Sequence, residues 1–187
     1  MRVAIGFSRT NSIMSRLIRL FTKGSISHVY VRYYDKTFKV PLILHSDWGG
    51  VQFDLAEKFD MENIAVEEHI LDDPKLEEAI RKNLWHLGKG YAYVKLWNWA
   101  WIIVLKRWFI RKVKDPVVNP KKLICTDFVL YILKEAGICD IPIGSMTPVD
   151  LRQWFEENHE RFGWRRIIRE KEGKSFLDHI KDFLIGE

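Results

Sequence analysis

The chain reads as a single α+β domain, on three observations. Early segments such as "SISHVYVRYY" and "LILHSDWGGVQF" alternate with the period of two that suits strands. Later segments such as "LICTDFVLYILKEAG" and "MTPVDLRQWFEEN" carry apolar residues at helical spacing. No repeat, low-complexity tract or linker separates the two kinds of segment, so strands and helices share one core. A length of 187 residues suits one such domain, read as 1–187.

Taken in order, "RVAIGF" is the first strand. "TNSIMSRLIRLFTKG" follows as a helix, with Ile13, Met14, Leu17, Ile18, Leu20 and Phe21 apolar and Gly24 as the stop. The second strand begins at His28, which shares a face with Tyr30 and Arg32, while Val29, Val31 and Tyr33 take the other. "VPLILHSDWGGVQF" is a third strand, a Gly-Gly turn and a short fourth strand. "NIAVEEHIL" is a strand candidate with a weaker pattern. In "DDPKLEEAIRKNLWHLGKG" Asp73 caps a helix, Pro74 falls in its first turn and Gly88 lies near its end. The next helix starts near Cys125 and ends at Gly137. Thr147, Pro148 and Asp150 then form a capping-box-like start to another. "WRRIIRE" is a last strand and "SFLDHIKDFLIG" a short closing helix.

Nearly half of the residues are hydrophobic and 13% aromatic, which excludes a disordered chain. A formal net charge of +5 favours anionic surfaces (phospholipid, cell-wall polymer or nucleic acid) without selecting among them. "GWRRIIREKEGK" reads as a strand with a solvated face, and the helix patterns of a DNA reader are missing, so a nucleic-acid partner is disfavoured. The two cysteines, Cys125 and Cys139, form no CxxC pair, which argues against a zinc ribbon or thioredoxin-like site. No metal or cofactor is expected. "MRVAIGFSRTNS" lacks an apolar run of signal-peptide length, so the expected setting is the cytoplasm, a phage-encoded protein or the periphery of a membrane.

Cys125 falls at the N-terminal end of a helix whose buried face is marked by Phe128, Val129, Ile132, Leu133 and Ala136. Backbone N–H groups and the helix dipole stabilise a thiolate there and can receive an oxyanion. Lys121 and Lys122 add positive charge nearby. A nucleophilic cysteine also needs a base, and His28 stands at a strand start after a Gly/Ser turn. If the second and third strands pair, His45 lies beside His28 and orients its ring. His69, His86, His159 and His179 offer no comparable placement. A buried thiol at a helix start is more often packing than chemistry; the two residues together carry the case.

Four pieces then match a known pattern in order: "IGFSRTNSIMSRLIRLFTKGSISHVYVRY", "LHSDWGGVQF", "LGKGYAYVKL" and "LICTDFVLYILKEAGI" followed by "MTPVDL". In these the chain resembles the circularly permuted NlpC-type papain-like cysteine hydrolases, the YiiX-like group, with lecithin:retinol acyltransferase-like enzymes as more distant relatives. The resemblance implies a permuted papain-like fold, a central antiparallel sheet flanked by helices. It implies Cys125 as nucleophile, His28 as general base and His45 as the orienting residue, with Asp47 as the fallback for that third role. Tyr91 and Thr126 would lie by the oxyanion and substrate, Thr126 standing where the family often has serine. The implied activity is hydrolysis of a peptide, isopeptide or cell-wall amide through a thioester. Its alternatives are a membrane-surface lipid amidase or acyltransferase and a catalytically inactive binding module.

"LWNWAWIIVLKRWFIRKVK" is read as a tryptophan-rich basic insert at about 95–114. Trp97, Trp101, Val104 and Trp108 share one helical face. From Leu96 to Ile110 a helix is roughly 22 Å long, against about 30 Å for a bilayer core. It is therefore expected either as a core helix against the sheet, its basic end in solvent and its length forming a wall or lid of the substrate cleft, or as an interfacial helix on an anionic membrane, with tryptophans at headgroup depth.

Overall fold

The computed structural model describes residues 2–35, 39–91 and 122–169. The tryptophan-rich insert, with Trp97, Trp101 and Trp108, and the expected closing helix lie outside the described residues. In chain order the elements are β1 (Val3–Arg9), α1 (Ile13–Thr22), β2 (His28–Asp35), β3 (Val40–Asp47), β4 (Gly50–Leu55), α2 (Ala56–Glu62), β5 (Ile64–Leu71), α3 (Lys75–Asn83), β6 (Gly90–Tyr91), β7 (Lys122–Leu123), α4 (Cys125–Glu135), α5 (Pro148–Phe162) and β8 (Arg165–Ile168). A single 3-10 turn, Leu84–His86, extends α3.

Six strands form one open antiparallel sheet in the order β4-β3-β2-β1-β5-β8. β6 and β7 make a short parallel pair of their own. Strand alternation gives the sheet two different faces. On one, Val3, Ile5, Phe7, Val29, Val31 and Leu44 pack with Phe128, Val129, Ile132 and Leu133 of α4 and with Leu151 and Phe155 of α5. On the other, Tyr30 and Ile43 pack with Ala56 and Phe59 of α2. His28, His45 and Asp54 share the strand parity of Tyr30 and Ile43, and so belong to the α2 face.

α4 and α5 begin where the sequence places them. Asp127 reaches back to accept the Ile124 N–H at 3.4 Å, and Thr147 and Asp150 complete a capping box at the start of α5. α5 runs on to Phe162, four residues past the predicted span, and stops at Gly163 in the left-handed region. α2 has no counterpart among the predicted elements.

β5 is a central strand, although its sequence carries Glu67, Glu68 and His69 in a row. Each charge meets a partner. Buried Glu68 accepts from Tyr30 Oη at 2.7 Å and Arg32 Nε at 2.8 Å, and also pairs with Arg169. Glu67 on the opposite face accepts from His69 at 2.5 Å and from Arg152 and Arg166 at 2.8 Å. Burial works against both carboxylates. The bonds from His69 and Arg166 hold Glu67 at about 2, and the charges of Arg32 and Arg169 do the same for Glu68. Gly6 is the cross-strand partner of Tyr30, and a Cβ there would lie 2.1 Å from the Tyr30 ring. The bare backbone of β1 lets that ring lie flat and reach Glu68. Among the described residues no helix is long and apolar enough to cross a membrane.

Candidate functional site

The site begins where β2 and β3 part. Their pairing runs from Asp35↔Val40 to Tyr30↔His45 and stops there. Beyond that point His28 and Val29 pair with β1, while Ser46 and Asp47 pair with β4. The start of α4 meets this opening. Ser46 Oγ donates to the Leu123 carbonyl at 3.1 Å, and the Val29 backbone N–H favours the thiolate form of Cys125. Cys125 is the first residue of α4, and its own N–H and that of Thr126 also favour the thiolate form.

The sequence predicts a stabilised thiolate at this helix start, and the structure reverses that balance. Cys125 is 3% exposed, and burial outweighs the three N–H groups, pushing the thiol up to about 11. In the folded chain the sulfur carries its proton at neutral pH.

The structure brings His28 and His45 together across the β2–β3 boundary. His28 Nε2 lies 3.1 Å from His45 Nδ1, with the rings nearly perpendicular. His45 Nε2 in turn lies 3.0 Å from Asp54 Oδ2 on β4. The chain runs diagonally over three neighbouring strands: Tyr30 faces His45, His45 faces Gln52, and Asp54 is two residues further on the same face. Phe59 of α2 packs on both rings, 5.2 Å from His45 and 6.2 Å from His28 by centroid.

Electrostatics fix the direction of this chain at its Asp54 end. Burial pushes the Asp54 carboxyl up, but hydrogen bonds from Lys58, at 2.8 Å, and from His45 outweigh it and hold Asp54 below its usual range. Burial, then the neighbouring His45, pushes His28 well below its usual value, so its ring is neutral at pH 7. A carboxylate can only accept, so His45 Nε2 donates to it. At the His28 Nε2–His45 Nδ1 contact the tautomers of the two rings set which nitrogen donates.

His28, His45 and Asp54 line a cleft of about 450 Å³, together with Met14, Ser27 and Trp48. Cys125 is not among the residues lining this cleft. Asp47 also borders it, but its carboxylate accepts from the Gly49 N–H at 2.8 Å and Gln52 Nε2 at 3.0 Å, bracing the β3–β4 turn. Thr126 donates its hydroxyl to the Met146 carbonyl at 3.0 Å. Tyr91 pairs with Leu123 through β6 and β7, which sets its backbone beside the start of α4; its side chain lies outside the described residues. The other histidines take packing roles: His69 bonds Glu67, His159 bonds the Glu156 carbonyl, and His86 is buried against Phe128 and Tyr131. His179 lies outside the described residues.

Asp54 and Phe59 are the two site residues that sequence reasoning missed. The signal for Asp54 was present in the register of a tight hairpin, which puts positions 45, 52 and 54 on one face. Phe59 carried no such signal, since it depends on how α2 folds back over the sheet.

Among the described residues no group of three or more His, Cys, Asp or Glu side chains is placed to hold a metal ion. No family model and no curated protein matches the sequence. Among solved structures, the chain is distantly similar in fold to the metalloprotein yiiX from Escherichia coli O157:H7. The two are 16% identical with a TM-score of 0.48, over 89% of this chain and 96% of that one.

Proposed function

We propose that the chain is a permuted papain-like cysteine hydrolase that cleaves an amide, with Cys125 as nucleophile and His28 as base. One observation carries this reading. A hydrogen-bonded Asp54–His45–His28 chain ends at the strand position next to Val29, whose backbone N–H favours the thiolate form of Cys125.

The neutral forms of both groups define the chemistry. His28 Nδ1 takes the thiol proton as the sulfur attacks the amide carbonyl, so thiolate forms during the attack rather than before it. The N–H groups at the start of α4 receive the tetrahedral oxyanion. His28 returns the proton to the leaving amine as the C–N bond breaks, leaving a thioester on Cys125. Water then gives a proton to His28 and adds to the thioester; the acid departs and the thiol is restored. Asp54 stays ionised throughout and stabilises the transient charge on the imidazole pair.

Steady-state hydrolysis of a p-nitrophenyl ester and of peptide amides tests the proposal. Turnover in the wild type that drops to background in both Cys125→Ser and His28→Ala is expected, and turnover surviving in either variant would overturn it.

The burial of Cys125 carries a second reading, in which the same frame is a non-catalytic binding module. Under that reading Cys125→Ser changes nothing measurable, and the cleft beside His28 binds its ligand without consuming it.

A further inference from the structure

We propose that α1 is a docking surface for an anionic membrane, set beside the cleft. α1 is strongly amphipathic, yet it is seated with its polar side inward. Its buried residue is Ser15, whose hydroxyl lies 2.6 Å from that of Ser27 and accepts the Thr10 N–H at 3.0 Å. Its apolar side faces out: Ile13 is 77% and Leu20 71% exposed. With half-buried Leu17 between them, these residues form an i, i+4, i+7 stripe along the helix.

A helix that served only the core would turn this stripe toward the sheet. The flanking charge selects the occupant. α1 contains no acidic residue; Arg16 is exposed, Arg19 lies in the last turn and Lys23 follows as the C-cap. A convex apolar stripe with basic flanks suits the headgroup boundary of an anionic bilayer, where apolar side chains enter and cations meet lipid phosphate. Each basic residue at such a surface strengthens binding about fivefold. Met14 and Ile18 of the same helix line the cleft with His28, so a bilayer against α1 lies at the cleft mouth. This inference is independent of the Cys125 chemistry, and Cys125→Ser is expected to bind membranes as the wild type does.

The test is co-sedimentation of the full chain with vesicles of phosphatidylcholine alone and of phosphatidylcholine with phosphatidylserine. The expected result is binding to the anionic vesicles only. An Ile13→Ser/Leu20→Ser double variant should lose that binding tenfold or more, and Arg16→Glu fivefold or more. Both variants change exposed side chains, so their circular dichroism should match the wild type. Three results would overturn the proposal. The wild type ignores anionic vesicles, or the double variant binds them undiminished, which moves the contact to another surface. Or ultracentrifugation shows a wild-type dimer that the double variant converts to monomer, which assigns the stripe to a second copy of the chain.

Discussion

In the proposed relay Asp54 sets the tautomers of both histidines, so its effect on the site is one of direction. Asp54→Asn replaces an acceptor with a group that can donate to His45 Nε2. His45 would then carry its hydrogen on Nδ1, His28 would accept at Nε2, and the His28 lone pair at Nδ1 would be lost. The expected loss in turnover is of the order of 10²- to 10⁴-fold, as for a triad held in the wrong tautomer. Imidazole ¹⁵N shifts should show the two His28 nitrogens exchanging roles, and unchanged shifts would refute the relay. The pH profile follows from the same residue. The His28 value lies well below 6.5, so its base form persists as pH falls through 6.5 and the acid limb of kcat/KM lies lower. An acid limb at or above 6.5 would contradict this. The His28–His45 contact and the place of Cys125 at a helix start were legible in the sequence, because strand pairing and helix periodicity are local patterns. Asp54 was not, because its role appears only once three strands are in register.

At the scale of elements, the sheet's middle is held by charge as much as by apolar packing. Glu68 is fully buried and joins β5 to β2 through Tyr30 and Arg32, and to the residue after β8 through Arg169. Glu68→Ala takes the carboxylate partner from buried Arg169 and leaves buried Arg32 with Asp60 alone, and should cost about 3–5 kcal/mol in urea unfolding. Phe59 is 1% exposed and joins α2 to both relay rings. Phe59→Ala should also cost about 3–5 kcal/mol, and a shift in the His28 and His45 ring resonances should accompany it. These elements were the hardest to read. β5 hid its central position behind adjacent charges whose partners lie far along the chain. α2, only seven residues long, buries just Ala56 and Phe59, too few positions to register as a period. By contrast α4 and α5 announce themselves through long apolar faces and local caps, which need no tertiary partner.

For the whole molecule, the buried groups make stability fall in acid in two stages. His86 is buried and held at about 4, against 6.5 when exposed. The cost of keeping it neutral is absent above pH 6.5, grows as pH falls, and is complete near 4. Glu67 and Glu68 are held at about 2 against 4.5, so their contribution is full above pH 4.5 and lost as pH falls from 4.5 toward 2. The urea midpoint should therefore decline below pH 6.5 and fall more steeply below 4.5; a flat midpoint across that range would count against the buried network. The α+β class was legible because two periodicities in one chain demand sheet and helix around a common core. What joins the fold to the proposed function is a β2–β3 ladder that opens at His28 and a helix start tied to β3 through Ser46. Acid-quenched intact-mass analysis during reaction with an activated ester tests that arrangement most directly. The account predicts one acyl group, mapped to Cys125 and absent in His28→Ala, with Cys139 unmodified. No adduct, or equal acylation of Cys139, would contradict it.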